Sequence, residues 1–196
     1  MKKSLRILLA EDEFLILMAL KSYVENLGHI VVGEATDGEK AVELALEKKP
    51  DLVIMDINMP NLDGIEAIKK INEKLYIPSI IVSGYSDEKL INRATEEGVL
   101  YYLLKPIDIK ELKIAINISM AKFEEIQKLH DELNDTKIAL DARKHIEKAK
   151  GIIMKRMNLQ EPEAMKRLQK MSRDNNKKLV VVAKELIQAE SLFYSE

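Results

Sequence analysis

Residues 52–64 read LVIMDINMPNLDG. Four apolar residues, Leu52–Met55, run without alternation into an acid, Asp56, and a turn rich in Asn, Pro, Asp and Gly follows. A short unbroken apolar run bounded by turn residues predicts a strand buried on both faces, because a strand with one wet face would alternate. Four more such runs occur at Arg6–Ala10, Ile30–Glu34, Ile80–Ser83 and Leu100–Leu104. The intervening segments are amphipathic and have readable ends. Gly28 and Gly98 stand where a helix needs a left-handed C-terminal residue, and Pro50 follows another helix end. Asp63-x-x-Glu66 and Asp108-x-x-Glu111 have the spacing of a capping box. Five strand–helix units predict an α/β fold, a doubly wound five-stranded parallel sheet with helices on both faces.

In such a sheet the site lies in the crevice beyond the carboxyl ends of the strands. Glu11 and Asp12 follow the first strand, Asp56 ends the third, Ser83 ends the fourth and Lys105 follows the fifth. Taken singly, an Asp at a strand end is a cap and a Lys-Pro is a loop. Taken together, they converge. Three carboxylates in one place repel one another, and a hard divalent cation with oxygen ligands offsets that repulsion. Mg²⁺ is the expected ion. Lys105 adds a positive charge for phosphoryl oxygens and Ser83 a hydroxyl, which together suit in-line phosphoryl transfer to a carboxylate.

These residues carry a resemblance. A-E-D at 10–12, D-I-N-M-P-N-L-D-G at 56–64, S-G at 83–84, Tyr102 and K-P at 105–106 make residues 1–120 similar to the receiver domain of two-component response regulators, flavodoxin-like in fold. The resemblance implies that Asp56 accepts a phosphoryl group from a sensor histidine kinase. It implies that Glu11, Asp12, Asp56 and the Asn58 carbonyl hold Mg²⁺, that Ser83 and Lys105 bind the phosphoryl group, and that Tyr102 swings inward when Ser83 is drawn to it. Glu11 replaces the commoner Asp, and Ser83 the commoner Thr.

No Gly or Pro interrupts the chain between Pro106 and Gly151, so one long helix is predicted from Asp108 onward. Ile109, Leu112, Ile116, Phe123, Ile126, Leu133 and Leu140 fall on alternating three- and four-residue steps, an imperfect heptad seam broken by Ser119, His130 and Lys137. Paired helices from two chains are the expected use of this 108–147 coiled-coil linker. Packing against the chain's own C-terminal bundle is the alternative. Two further helices are predicted, Pro162 to about Asp174 and Leu179 to about Phe193, separated by Asn175-Asn176. With the end of the long helix they would form a small three-helix bundle over residues 141–196.

Charge divides the chain. Residues 1–117 carry 15 basic against 20 acidic residues, residues 118–142 carry 3 against 6, and residues 143–196 carry 13 against 7. An anionic partner is therefore expected for the last third, with a merely solvated basic face as the alternative. Ala149 and Gly151 are small at adjacent helical positions, which suggests close approach of another helix or of a ligand backbone. Ile152, Ile153, Met154 and Met157 are expected in the bundle core. The pattern A-K-G-I-I-M at 149–154, E-A at 163–164, Leu168, Asn175-Asn176 and V-V-A at 181–183 resembles the ANTAR domain, a three-helix RNA-binding output of transcription antiterminators. That resemblance implies paired hairpins in nascent RNA as the ligand, with RNA polymerase affected indirectly. Candidate phosphate contacts are Lys150, Arg156, Lys166, Arg167, Arg173, Lys177 and Lys178, each equally readable as a solvated charge. Leu159-Gln160 departs from the Ser or Asp cap common before the second helix.

The absence of Cys excludes disulfides, thiolate ligands and a catalytic thiol. The apolar run in MKKSLRILLAEDE breaks at Glu11, too early for a signal peptide, and no window approaches a membrane span. The expectation is a cytoplasmic, non-membrane response regulator, dimeric when phosphorylated, which binds RNA hairpins and antiterminates transcription. It would be no enzyme beyond its own phosphoryl transfer and dephosphorylation. A DNA-binding regulator, or a basic bundle that docks on an acidic protein, is the alternative.

Overall fold

The computed structural model describes residues 4–85 and 87–193. It divides into two compact units, residues 1–127 and 128–196. In the first, strands β1 (Arg6–Ala10), β2 (Ile30–Ala35), β3 (Leu52–Asp56), β4 (Ser79–Ser83) and β5 (Tyr101–Leu104) alternate with α1 (Phe14–Asn26), α2 (Gly38–Lys48), α3 (Gly64–Asn72) and α4 (Glu88–Glu96). The sheet is wholly parallel, in the order β2-β1-β3-β4-β5.

The two-residue period of the strands sorts the core into two layers. Ile7 and Leu9, Leu52 and Ile54, Ile80 and Val82 face one way and pack with Leu17, Leu20 and Val24 of α1 and Leu112, Ala115 and Ile116 of α5. Leu8 and Ala10, Val53 and Met55, and Ile81 face the other way, against α2, α3 and Ala94 of α4. Every residue of β3 and β4 is buried, which is why those strands do not alternate in sequence. Gly28 and Gly98 have φ of 84° and 83°, as their positions at helix ends required. Asp63 caps α3 by accepting from the Glu66 N–H at 2.9 Å, and Asp108 accepts from both Lys110 and Glu111 N–H groups. Gly64 is needed for close approach: a Cβ there would collide with the Asp56 carbonyl oxygen.

Helix α5 (Ile109–Met157) contributes to both units. The heptad reading of its first half needs correction. Leu112 and Ile116 are 0% and 2% exposed, inside the core of the first unit, and Phe123 packs on Tyr76 with ring centroids 5.5 Å apart. Of the seam, Ile126, Leu133 and Leu140 stay exposed, and Leu129, also exposed, falls on the same steps, while Ile114, Ile118 and Ile138 are exposed off it.

In the second unit the end of α5 packs with α6 (Glu161–Asp174) and α7 (Leu179–Phe193) around Ala149, Ile153, Ala164, Leu168, Val182 and Ala183. Asn158 and Asn176, with φ of 51° and 50°, make the two corners. Gln160 replaces the usual short polar cap, and Glu163 compensates by accepting from the Gln160 N–H at 3.2 Å. One expectation fails here and another is narrowed. Met157 is 49% exposed rather than part of the core. Gly151 is exposed, and a methyl added to it would meet nothing within 4 Å, so helix packing within this unit does not explain it.

Candidate functional site

The carboxyl ends of β1, β3, β4 and β5 assemble the predicted cluster. β1 delivers Glu11 and Asp12, β3 delivers Asp56, and the pairing of Asp56 with Val82 and of Ser83 with Leu104 sets Ser83 and Lys105 beside them. One carboxylate oxygen from each of Glu11, Asp12 and Asp56 lies within 4.8 Å of the others, with Glu11 and Asp56 buried and Asp12 exposed. Lys105 Nζ stands 3.0 Å from Glu11 Oε1, 2.9 Å from Glu11 Oε2 and 3.3 Å from Asp56 Oδ1. Glu13, which sequence reasoning passed over, adds a further carboxylate 3.9 Å from the same ammonium. The acidic run at 11–13 was its available signal.

The electrostatics are unbalanced. Burial, reinforced for Glu11 by Asp56 and for Asp56 by Asp12, raises the pKa of both buried carboxyls despite Lys105. Burial tends to lower the Lys105 pKa, but its bond to Glu11 and the charge of Asp56 outweigh this and move it upward. One ammonium thus faces three carboxylates. Glu11 Oε2 is buried without a hydrogen bond of good geometry, although the Lys105 ammonium is close. Three oxygen donors in one pocket, an excess of negative charge and an unsatisfied carboxylate oxygen fit a hard divalent cation.

The turn after β3 and the loop after β4 complete the pocket. Asn58, exposed, donates its N–H to Asp56 Oδ2 at 3.2 Å, so this turn supports the acid directly. Ser83 is fully buried and its Oγ accepts from the Tyr85 N–H at 3.1 Å. Tyr102, half-buried, donates its hydroxyl to the Tyr85 carbonyl at 2.7 Å. Ser83 and Tyr102 are therefore joined through one residue's backbone, a link that their separation in sequence could not reveal.

The seven cationic candidates of the last third separate in the structure. Lys166, Arg167, Arg173 and Lys178 are exposed, and their side chains have no hydrogen bond or ion pair among the described residues. Lys177 is paired with Glu185 at 2.6 Å and Arg156 Nε with Glu190 Oε2 at 2.7 Å. Lys150 departs furthest from an open phosphate contact. It is 8% exposed and held by Glu147 at 2.5 Å and Glu161 at 2.6 Å, bonds that raise its pKa and lower that of Glu161. It fastens the α5–α6 corner. Glu147 lies one helical turn before it, but only the fold brings Glu161 close.

A parallel sheet in this order, with an acidic cluster and a lysine at its strand ends, defines a receiver domain, and the response regulator receiver family matches residues 7–117. The ANTAR family matches residues 134–187. The chain belongs to the response regulators, as a receiver joined to an ANTAR output. The transcriptional regulatory protein PdtaR of Mycobacterium tuberculosis is 39% identical over 183 residues, covering 93% of this chain and 89% of that one. LiaR of Bacillus subtilis is 40% identical over 114 residues, 57% of this chain and 54% of its own. Among solved structures, a LuxR-family response regulator from Aurantimonas sp. SI85-9A1 superposes with a TM-score of 0.58 at 30% identity, over 61% of this chain and 87% of that one. A chain of the CheX–CheY–BeF3–Mg²⁺ complex from Borrelia burgdorferi gives 0.56 at 26%, over 60% and 88%. Membership implies a phosphodonor kinase for the receiver and RNA for the ANTAR unit. Among the described residues, no helix is long and apolar enough to cross a membrane.

Proposed function

We propose that this chain is a cytoplasmic, phosphorylation-controlled antiterminator. A sensor histidine kinase phosphorylates Asp56, the chain dimerises, and its two ANTAR units hold two hairpins of a nascent transcript, so that RNA polymerase reads on. The observation that carries the reading is the convergence of Glu11, Asp12 and Asp56 on Lys105, in a chain whose last third is an ANTAR unit with an excess of positive charge.

Asp56 is the nucleophile: a carboxylate oxygen bonds to phosphorus as the donor's bond to phosphorus breaks in line. Glu11, Asp12, Asp56 and the Asn58 carbonyl would hold Mg²⁺, which would neutralise charge on the transferring phosphoryl group. The relative crystallised with BeF3 and Mg²⁺ supports that choice of ion. Lys105 gives up part of its pairing with Glu11 and Asp56 to meet phosphoryl oxygens. Ser83 turns its hydroxyl toward them and gives up the Tyr85 N–H, which frees the Tyr85 carbonyl and with it Tyr102 to rearrange. The chemistry of the chain is confined to this transfer and to hydrolysis of the acyl phosphate, in which water bonds to phosphorus and the Asp56 carboxylate leaves.

The exposed apolar run Ile126, Leu129, Leu133 and Leu140 supplies the dimer contact. Joining two units makes the second hairpin's capture intramolecular, which multiplies a modest single-site affinity. Gel shifts test the whole scheme, with single-hairpin RNA, two-hairpin RNA and duplex DNA, with and without a small-molecule phosphodonor and Mg²⁺, in wild type and Asp56→Asn. Phosphodonor should strengthen two-hairpin binding far more than single-hairpin binding, and only in wild type. Equal affinities under all conditions would overturn the scheme, and preference for duplex DNA would replace it.

A further inference from the structure

In the C-terminal unit, α5, α6 and α7 leave an open cleft of about 320 Å³. It is lined by Ile152, Met157, Met171 and Leu186, by the core residue Ile153, and by the charged residues Arg156, Arg167 and Glu190. It is not a packing defect, since the bundle core, Ala149, Ile153, Ala164, Leu168, Val182 and Ala183, is at most 4% exposed. We propose that this cleft seats one unpaired base from an RNA loop. The proposal rests on the RNA-binding reading above and deepens it.

An unstacked base has two apolar faces, a polar edge and a phosphate on either side, and the cleft has a counterpart for each. Aliphatic side chains and two polarisable thioethers, Met157 and Met171, can cover a ring face, thioethers being favourable partners for aromatic rings. The Arg156 guanidinium is held by Glu190 at 2.7 Å, which presents a planar cation in the lining for stacking. Glu190 spends one oxygen on that bond, and a carboxylate keeps further acceptor positions for base N–H groups. Arg167, exposed and without a partner among the described residues, is placed for a flanking phosphate. The volume lies at the low end of ligand pockets, about 300–1,000 Å³, which suits a single base better than a peptide helix. The excess of 13 basic over 7 acidic residues in 143–196 favours a polyanion over a neutral ligand. This gives loop bases a seat although residues 141–192 contain no Phe, Tyr or Trp.

Filling the cleft tests the assignment. Ala189 lines it and is itself exposed, so Ala189→Phe occupies the space without loading the core. The full-length chain is titrated with a hairpin and with the same hairpin bearing abasic loop nucleotides. Wild type should prefer the intact loop by about tenfold, the scale of one stacked base. Ala189→Phe should lose that preference while binding the abasic hairpin as wild type does, with its thermal melt checked in parallel. Should the variant fail to fold, crosslinking from photoreactive loop nucleotides to wild type decides: crosslinks at Met157, Met171 or Leu186 support the seat, and crosslinks confined to outer lysines overturn it. Equal wild-type affinity for intact and abasic loops overturns the seat but leaves RNA binding standing. No affinity for either RNA at low salt removes both. Unchanged loop preference in a folded Ala189→Phe, with dimer mass lost, assigns the cleft to a second copy and overturns the proposal.

Discussion

Asp56 is under two opposed demands. On the proposed function it must be ionised to attack phosphorus, yet burial favours its neutral form, and Lys105 at 3.3 Å is the group that counters burial. The same conflict applies to Glu11. Because the folded-state pKa of both carboxyls is raised, the metal-free fold holds these protons more tightly than the unfolded chain does. Their contribution to stability is therefore fully present below the ordinary values of 3.8 and 4.5 and is lost as pH rises through the folded-state values. Protons and a divalent cation compete for the same oxygens. Mg²⁺ affinity, read from the Mg²⁺-induced rise in melting temperature, should fall as pH is lowered toward those raised values, and at a higher pH than free carboxylates would require. At neutral pH, Mg²⁺ at about a hundred times its Kd should add about 2.7 kcal/mol of stability. Asp56→Asn should lose most of that gain and all phosphodonor-dependent increase in intact mass. A full Mg²⁺ response in Asp56→Asn would count against the carboxylate cluster as the cation site.

Elements place these residues through a few close contacts. Gly64 lets the start of α3 lie against the carbonyl of Asp56, and a methyl there must push the acid's own backbone away. Gly64→Ala should cost about 1–3 kcal/mol in chemical denaturation, as overpacked sites do, and slow phosphoryl uptake as well. Asp63, one residue earlier, caps α3 and pairs with Arg93 of α4 at 2.9 Å, so it joins two helices on one face of the sheet. Asp63→Ala should cost about 1 kcal/mol for the lost cap, with phosphoryl chemistry retained. In the second unit, Lys150 ties α5 to Glu161 at the start of α6. Lys150→Met should lower the melting temperature of that unit while leaving the salt dependence of RNA binding unchanged. A reduced salt slope would show instead that Lys150 meets phosphate directly.

For the molecule as a whole, charge and apolar exposure point to different tasks. The first 117 residues are net acidic, and the last 54 carry nearly twice as many basic as acidic residues, so RNA should engage the ANTAR unit and weaken steeply with salt. The apolar run on α5 is no part of either core, since Leu129, Leu133 and Leu140 are 53–60% exposed. Leu133→Glu combined with Leu140→Glu should keep the phosphorylated chain monomeric by light scattering and leave single-hairpin affinity intact. Two-hairpin affinity should drop by about 10²-fold as the effective concentration is lost. A dimer that survives both substitutions would move the contact elsewhere.

Sequence alone determined the strands, most helix limits and the order of the acidic, hydroxyl and lysine residues along the chain. These rest on local physics: apolar runs without alternation, left-handed glycines, side-chain caps and strand ends that must meet in a doubly wound sheet. Leu52–Met55 and its turn were legible because backbone and side-chain preferences agreed there. Tertiary structure decided what depends on partners distant in sequence. It turned Leu112 and Ile116 from seam into core, set Met157 at a cleft, and joined Ser83 to Tyr102 through Tyr85. It also divided seven similar cations into four without partners among the described residues and three held by glutamates. A lysine's charge is written in the sequence, but its availability depends on which carboxylate the fold sets beside it.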